Sequence, residues 1–99
     1  MQSNYWDKPL KPVLEADIEE DINDYAQRRG WWARKFVTPG NVGPPDRIFI
    51  RRARIVFMEI KRPGEEPRAS QVQVMKEMRE HGAEVHWCDN LQQAKEILR

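Results

Sequence analysis

The stretch Arg54-Ile55-Val56-Phe57-Met58-Glu59-Ile60-Lys61 is apolar at both parities until its charged end, and that pattern leaves few folds open to the chain. Side chains of an extended strand alternate between faces, so Ile55, Phe57, Glu59 and Lys61 share one side while Val56, Met58 and Ile60 share the other. A strand apolar on both sides reads as central in its sheet. Its charged end then needs partners or a metal, because desolvating a lone carboxylate costs several kcal/mol.

The preceding residues supply such a partner. Gly43-Pro44-Pro45-Asp46 opens the strand Asp46 to Arg51, and Arg52-Ala53 turns it into the next. Strands joined by a short hairpin lie about 5 Å apart, which brings Asp46 to the end carrying Glu59 and Lys61. Pro44 and Pro45 fix φ and remove two backbone donors, so the loop enters the strand rigidly with Asp46 held in place. Glu-x-Lys alone is most often a same-face ion pair. Two carboxylates and an ammonium at one point are the makings of a metal site.

Cysteine and histidine usage narrows the metal. Cys88 is the single cysteine and only His81 and His86 accompany it, which excludes an internal disulfide and leaves no spacing for tetrahedral zinc. A hard, oxygen-ligated ion is expected, Mg²⁺ or Mn²⁺, on Asp46, Glu59 and the Ile60 backbone carbonyl. No Ser/His/Asp or Cys/His arrangement suggests a protein nucleophile, so hydrolysis by activated water is the simplest chemistry. Lys61 would orient the attacking hydroxide or stabilise the charged phosphate.

Charge points to the substrate. Residues 1–27 carry two bases against seven acids, residues 28–68 eleven against four, and residues 69–99 four against five. A basic middle around a carboxylate site suits a phosphodiester polyanion, with Lys35, Arg47 and Arg62 as candidate phosphate contacts. A catalytically silent nucleic-acid-binding or partner-docking module, gripping phosphate through Arg47, Arg51, Arg52 and Arg54, is the competing reading.

Ninety-nine residues make one domain with a single core, expected over 14–99 behind an extended arm, 1–13, that carries Tyr5 and Trp6. No apolar run approaches the ~18 residues of a membrane span, and Met1 to Asn4 lacks a secretory n-region, so a soluble intracellular protein is expected. Leu14, Ile18, Ile22, Tyr25 and Ala26 recur at helical spacing to about Arg29. Seven residues from Ile22, Glu15 falls about 20° from it on the wheel, whereas Glu19 falls about 60° away; Glu15 is the first choice to face inward and Glu19 the second. Trp31 to Val37 reads as a strand, followed by a flexible Gly40–Gly43 loop. Ser70 is expected to cap a helix to about His81 with Val72, Met75 and Met78 inward, Glu84 to Cys88 to form a strand, and Asn90 or Asp89 to cap a last helix. The order is α-β-β-β-α-β-α, an α/β domain with a small mixed β-sheet flanked by helices.

With these residues in place the chain resembles a known family. Asp46 and Glu59-Ile60-Lys61 are similar to the PD-(D/E)xK nuclease core, and Gly43-Pro44-Pro45-Asp46-Arg47 to the G-x-P-D-R segment of the virus-type replication-repair nuclease (VRR-Nuc) family. The acidic helix, Lys35-Phe36-Val37-Thr38-Pro39-Gly40 and Ser70-x-x-Gln73 follow the family's order, so that residues 14 to 98 resemble a stand-alone, phage-type nuclease module, located in the host cytoplasm if phage-encoded. The family usually has glycine at the turn where this chain has Arg52-Ala53. The resemblance implies a restriction-endonuclease-like core, a helix glutamate completing the acidic cluster, in agreement with Glu15, and Gln73 as a residue that orients the site. It also implies DNA as substrate and a likeness to Holliday-junction resolvases. One active site per chain cannot make paired cuts, so a homodimer acting on four-way junctions is expected.

Overall fold

The computed structural model describes residues 13–40 and 43–99. The Tyr5/Trp6 arm and two residues of the Gly40–Gly43 loop therefore lie outside the described residues. Seven elements follow in the expected order: α1 (Glu15–Arg28), β1 (Trp32–Lys35), β2 (Arg47–Arg51), β3 (Arg54–Ile60), α2 (Ala69–Glu80), β4 (Glu84–Cys88) and α3 (Leu91–Ile97). The sheet runs β1-β2-β3-β4, antiparallel from β1 to β3 and parallel between β3 and β4. That parallel pair requires a crossover, which α2 provides. Among the described residues no helix is long and apolar enough to cross a membrane.

The α1 stripe buries Ile18, Ile22 and Ala26 against Phe49, Val56, Met58 and Ile60 of the sheet and Ala94 and Leu98 of the α3 region. Leu14, expected on this stripe, instead sits at the helix cap, 48% exposed, its amide donated to Asp17. β3 is central, as its sequence requires, but its two faces differ. Val56, Met58 and Ile60 are wholly buried, whereas Ile55 is 46% exposed. The reason is dimensional: α2 packs mainly on β4, and a helix about 10 Å across covers only two strands spaced about 4.8 Å apart. Two-sided burial is confined to the Glu59 end.

Two further expectations change. Ser70 lies inside the first turn of α2, and Arg68 holds the cap position with its amide donated to Gln71 Oε1 at 2.8 Å. Val72 is 50% exposed while Gln71 is buried at 6%. Asn90 is the cap of α3, accepting the Gln93 amide at 2.8 Å.

The β2–β3 hairpin turns through Arg52 (φ 50°) and Ala53 (φ 67°), the left-handed pair of a two-residue hairpin turn, which glycine fills most easily. Ala53→Gly is expected to raise stability by about 0.5–1 kcal/mol, the relief of left-handed strain less glycine's added chain entropy. Thermal melting checks it, and an unchanged or lower midpoint would mean that the turn carries no strain.

The hairpin arginines have structural partners. Arg51 stacks on Trp31 at 4.5 Å and bonds the Arg29 carbonyl, while Arg54 lies 5.4 Å from the same ring and bonds Glu84 and the Ile97 carbonyl. Trp31 Nε1 donates to the Leu98 carbonyl at 3.1 Å. These contacts pin the α3 end to the sheet. The Arg54 guanidinium, then burial in opposition, then His86 leave the Glu84 carboxyl lowered to about 2 from 4.5. The unfolded chain thus binds the proton first, so this contribution is present above about pH 4.5 and is lost as pH falls toward 2. Glu84→Gln should show a shallower loss of stability across that window by circular dichroism; an identical acid profile would show that the pair contributes nothing.

Candidate active site

Asp46 stands one residue ahead of β2, and the register Arg47↔Met58 puts it beside Glu59 on the same face of the sheet. Three contacts hold it there. The Phe36 amide donates to the Asp46 carbonyl at 2.7 Å, the Phe36 and Phe57 rings meet edge to face at 5.0 Å, and Pro45 is fully buried. Gly43 anchors the loop from outside. At φ +112° a Cβ on it would lie 2.8 Å from Val74 Cγ2 and 2.9 Å from the Ser70 carbonyl oxygen, so its end of the loop is pressed onto the first turns of α2. Gly43→Ala is expected to destabilise by about 2–4 kcal/mol through backbone strain and overlap and to displace Asp46. A melting curve and a cleavage rate both matching wild type would show that the loop has room to yield.

Around Asp46 the fold assembles the acids. From α1, one turn apart, Glu15 and Glu19 bring carboxylate oxygens within 4.8 Å of one another and of Asp46. Both of the glutamates weighed on the helical wheel therefore reach the cluster. Glu59, 2% exposed, completes it from β3. Its Oε1 receives Gln71 Nε2 at 3.3 Å and lies 3.8 Å from Lys61 Nζ, while Oε2 is buried without a partner among the described residues.

Such crowding has an electrostatic cost. Burial first, then the neighbouring Asp46, push Glu59 up to about 8 from 4.5. Burial and Asp46 raise Glu15 too, against the opposing charge of Lys61. Carboxylates that resist ionisation together, one with an orphaned oxygen, fit a hard divalent cation that would supply the missing charge. Asp46, Glu59 and Glu15 are the residues that would hold it. Since the Lys61 amide pairs with the Cys88 carbonyl at 2.9 Å, the strand's alternation turns the Ile60 carbonyl the other way, to the β2 side where Asp46 stands.

Other expected residues fall elsewhere. Gln73 is exposed and bonded to Glu77 at 3.1 Å, outside the site; Gln71 takes the place expected of it, tied to the Arg68 amide at one end and Glu59 at the other. The signal was present in the sequence, since Gln71, Met75 and Met78 follow i, i+4, i+7, a better helical stripe than Val72, Met75, Met78. Arg47, expected at phosphate, is turned inward to Glu19 at 3.4 Å with 13% of its side chain exposed, because β2 alternation puts it on the core face with Phe49. Lys35 is exposed and lines a groove of ≈ 220 Å³ with Glu19, Phe36 and Asp46. A second groove of ≈ 370 Å³, which Asp46 also lines, is bordered by Arg68 and Gln71; Arg68 was not foreseen. Arg62 lies at the surface, paired with Glu65 of its own loop. Arg51 and Arg54 are engaged by Trp31, Glu84 and backbone carbonyls at the far end of the strands, so of the four arginines named for gripping phosphate these two and Arg47 meet protein groups, while Arg52 is exposed.

No protein-family model matches the chain. A relative described as "Putative nuclease p44", from Acyrthosiphon pisum secondary endosymbiont phage 1, is 37% identical over 59 residues. The match spans 59% of this chain and 63% of that protein. Among solved structures, a chain described as "VRR_NUC domain" superposes with a TM-score of 0.79 at 21% identity, covering 87% of this chain and 96% of its own. A "VRR_NUC domain protein" superposes with a TM-score of 0.76 at 15% identity, covering 89% and 87%. The architecture expected from the stretch Gly43 to Lys61 is the architecture found.

Proposed function

We propose that this chain, which has the VRR_NUC fold, is a divalent-metal-dependent endodeoxyribonuclease. One observation carries the reading: four carboxylates, of Glu15, Glu19, Asp46 and Glu59, converge beside Lys61, with one Glu59 oxygen buried and given no ordinary donor among the described residues. A stable core does not need this arrangement. Buried acids that repel one another reduce stability unless something else uses them. The phage relative's name and the shared fold support the same reading.

Asp46, Glu59, the Ile60 carbonyl and Glu15 would hold Mg²⁺ or Mn²⁺, which would supply Lewis acidity toward water and charge toward the scissile phosphate. The chain's own groups do the rest. Gln71 bonds one Glu59 oxygen and so holds the carboxylate plane with the other facing the site. Lys61, its stem buried and its ammonium at the cluster's edge, offers a fixed positive charge to the phosphate as negative charge develops there. Lys35 and Arg68 each border a groove that Asp46 also lines, and Arg62 lies at the surface, cations available to neighbouring phosphates.

Contacts of this kind read backbone shape and not base sequence. The finer reading is a homodimer that prefers four-way or other branched DNA, because paired cuts need two sites at a fixed separation. Purified protein is incubated with branched and linear duplex DNA in Mg²⁺, Mn²⁺ or EDTA, with light scattering for mass. Metal-dependent nicking favouring the junction, by a dimer, is the expected result. A monomer cutting both substrates equally would be a structure-indifferent nuclease, and binding without cleavage in either metal would be a silent module.

A further inference from the structure

Inside the acidic cluster one ion pair has no part in the proposed chemistry, and the role assigned to it here rests on the metal-dependent reading. Arg47 reaches Glu19 at 3.4 Å, the two side chains 13% and 17% exposed. Its Nε is buried without a partner among the described residues, and so is Oδ1 of Asn23, one helical turn beyond Glu19. A guanidinium left with an unsatisfied buried donor is held by its neighbour's charge, not by a complete set of hydrogen bonds.

The position of that charge matters. Glu19 belongs to the triplet with Glu15 and Asp46, so its carboxylate could serve a metal as readily as theirs. Among the described residues two cations pair with the cluster's carboxylates, Arg47 with Glu19 and Lys61 with Glu59. With a metal bound and all four carboxylates ionised, they leave two negative charges, the complement of one divalent ion. Without Arg47 three would remain, and Glu19 would be released toward Glu15 and Asp46.

We propose that Arg47 is a positioning residue that withholds Glu19 from the metal and limits the site to one divalent ion held by Glu15, Asp46 and Glu59. Asp46 and Arg47 are adjacent in sequence and point to opposite faces, so one strand entry both supplies a ligand and neutralises the rival to it.

The test is Mn²⁺ binding to the full chain without DNA, read by calorimetry and by the electron paramagnetic resonance of free Mn²⁺. Wild type is expected to bind one ion per chain, and Glu19→Gln the same number, its affinity lowered by less than about tenfold, since the net charge changes but no ligand is lost. Arg47→Met is expected to take up a second ion or to bind the first at least about tenfold more tightly, as a neighbouring positive charge is removed. Glu19→Gln combined with Arg47→Met should return to wild-type binding. Thermal unfolding in EDTA establishes that each variant is folded; if Arg47→Met is not, Glu19→Gln decides alone. A tenfold or greater loss of affinity in Glu19→Gln makes Glu19 a ligand and overturns the proposal. Unchanged stoichiometry and affinity in Arg47→Met also overturns it, and a salt dependence of DNA binding reduced by about one phosphate contact would then return Arg47 to the backbone. Wild type that binds no Mn²⁺ is a different failure, which removes the metal-dependent reading itself.

Discussion

Asp46→Asn and Glu59→Gln are each expected to lower cleavage by more than about 10³-fold, because each removes one unit of the charge that holds the ion and with it several kcal/mol of phosphate and water activation. Both swaps are close to isosteric, so the fold should survive. For Glu59→Gln stability offers an independent reading. Burial and Asp46 push that carboxyl up to about 8, so in wild type stripped of metal its ionisation at higher pH opposes folding; the neutral amide has no such cost, and above pH 8 the chelated variant should melt no lower than chelated wild type. Activity lost without stability lost is the signature of a ligand. Metal-dependent cutting retained by both variants would refute the assigned site, and collapse of the Glu59→Gln fold would mean that Glu59 serves structure first.

Lys61→Met is expected to separate binding from chemistry. The side chain is 11% exposed and methionine can fill most of the space of its stem, so packing changes little. What disappears is the ammonium, 3.8 Å from Glu59 Oε1. Because that group repels a cation, metal affinity should stay the same or tighten, while the rate at saturating metal falls by about 10²–10³-fold through loss of a preorganised charge at the phosphate. Single-turnover cleavage across a metal titration distinguishes the two effects. A variant with weakened metal binding and a normal rate at saturation would reassign Lys61 to holding Glu59.

Both experiments concern residues that could be read from the chain before any fold was known, whereas the partners of Arg47 and the place of Arg68 could not, and Gln71 was marked only by its helical stripe; the difference has a physical origin. Periodicity reports which residues of one element share a face. Ile18, Ile22 and Ala26 mark the buried side of α1, and the alternation of β3 separates Val56, Met58 and Ile60 from Phe57, Glu59 and Lys61. Chain connectivity adds one step, since a hairpin as short as Arg52-Ala53 must return Glu59 to Asp46. Those local rules determined the element order, the central strand and the meeting of Asp46, Glu59 and Lys61 in the candidate site.

They carry no information about what an element's face meets across space. Whether Gln71 or Gln73 points at Glu59 depends on the rotation of α2 about its axis, which is set by the packing of Met75 and by Gly43 pressed against Ser70 and Val74. Whether Arg47, Arg51 and Arg54 meet phosphate or protein depends on α1, Trp31 and the α3 end lying within reach. Charge in the sequence is a sum over residues, while its availability to DNA is what remains after the fold has paired some of them. The local alternation of chemistry thus determined where an acidic cluster would form, and only tertiary packing decided which neighbours contact it, which cations pair with it and which face of β3 stays open to solvent.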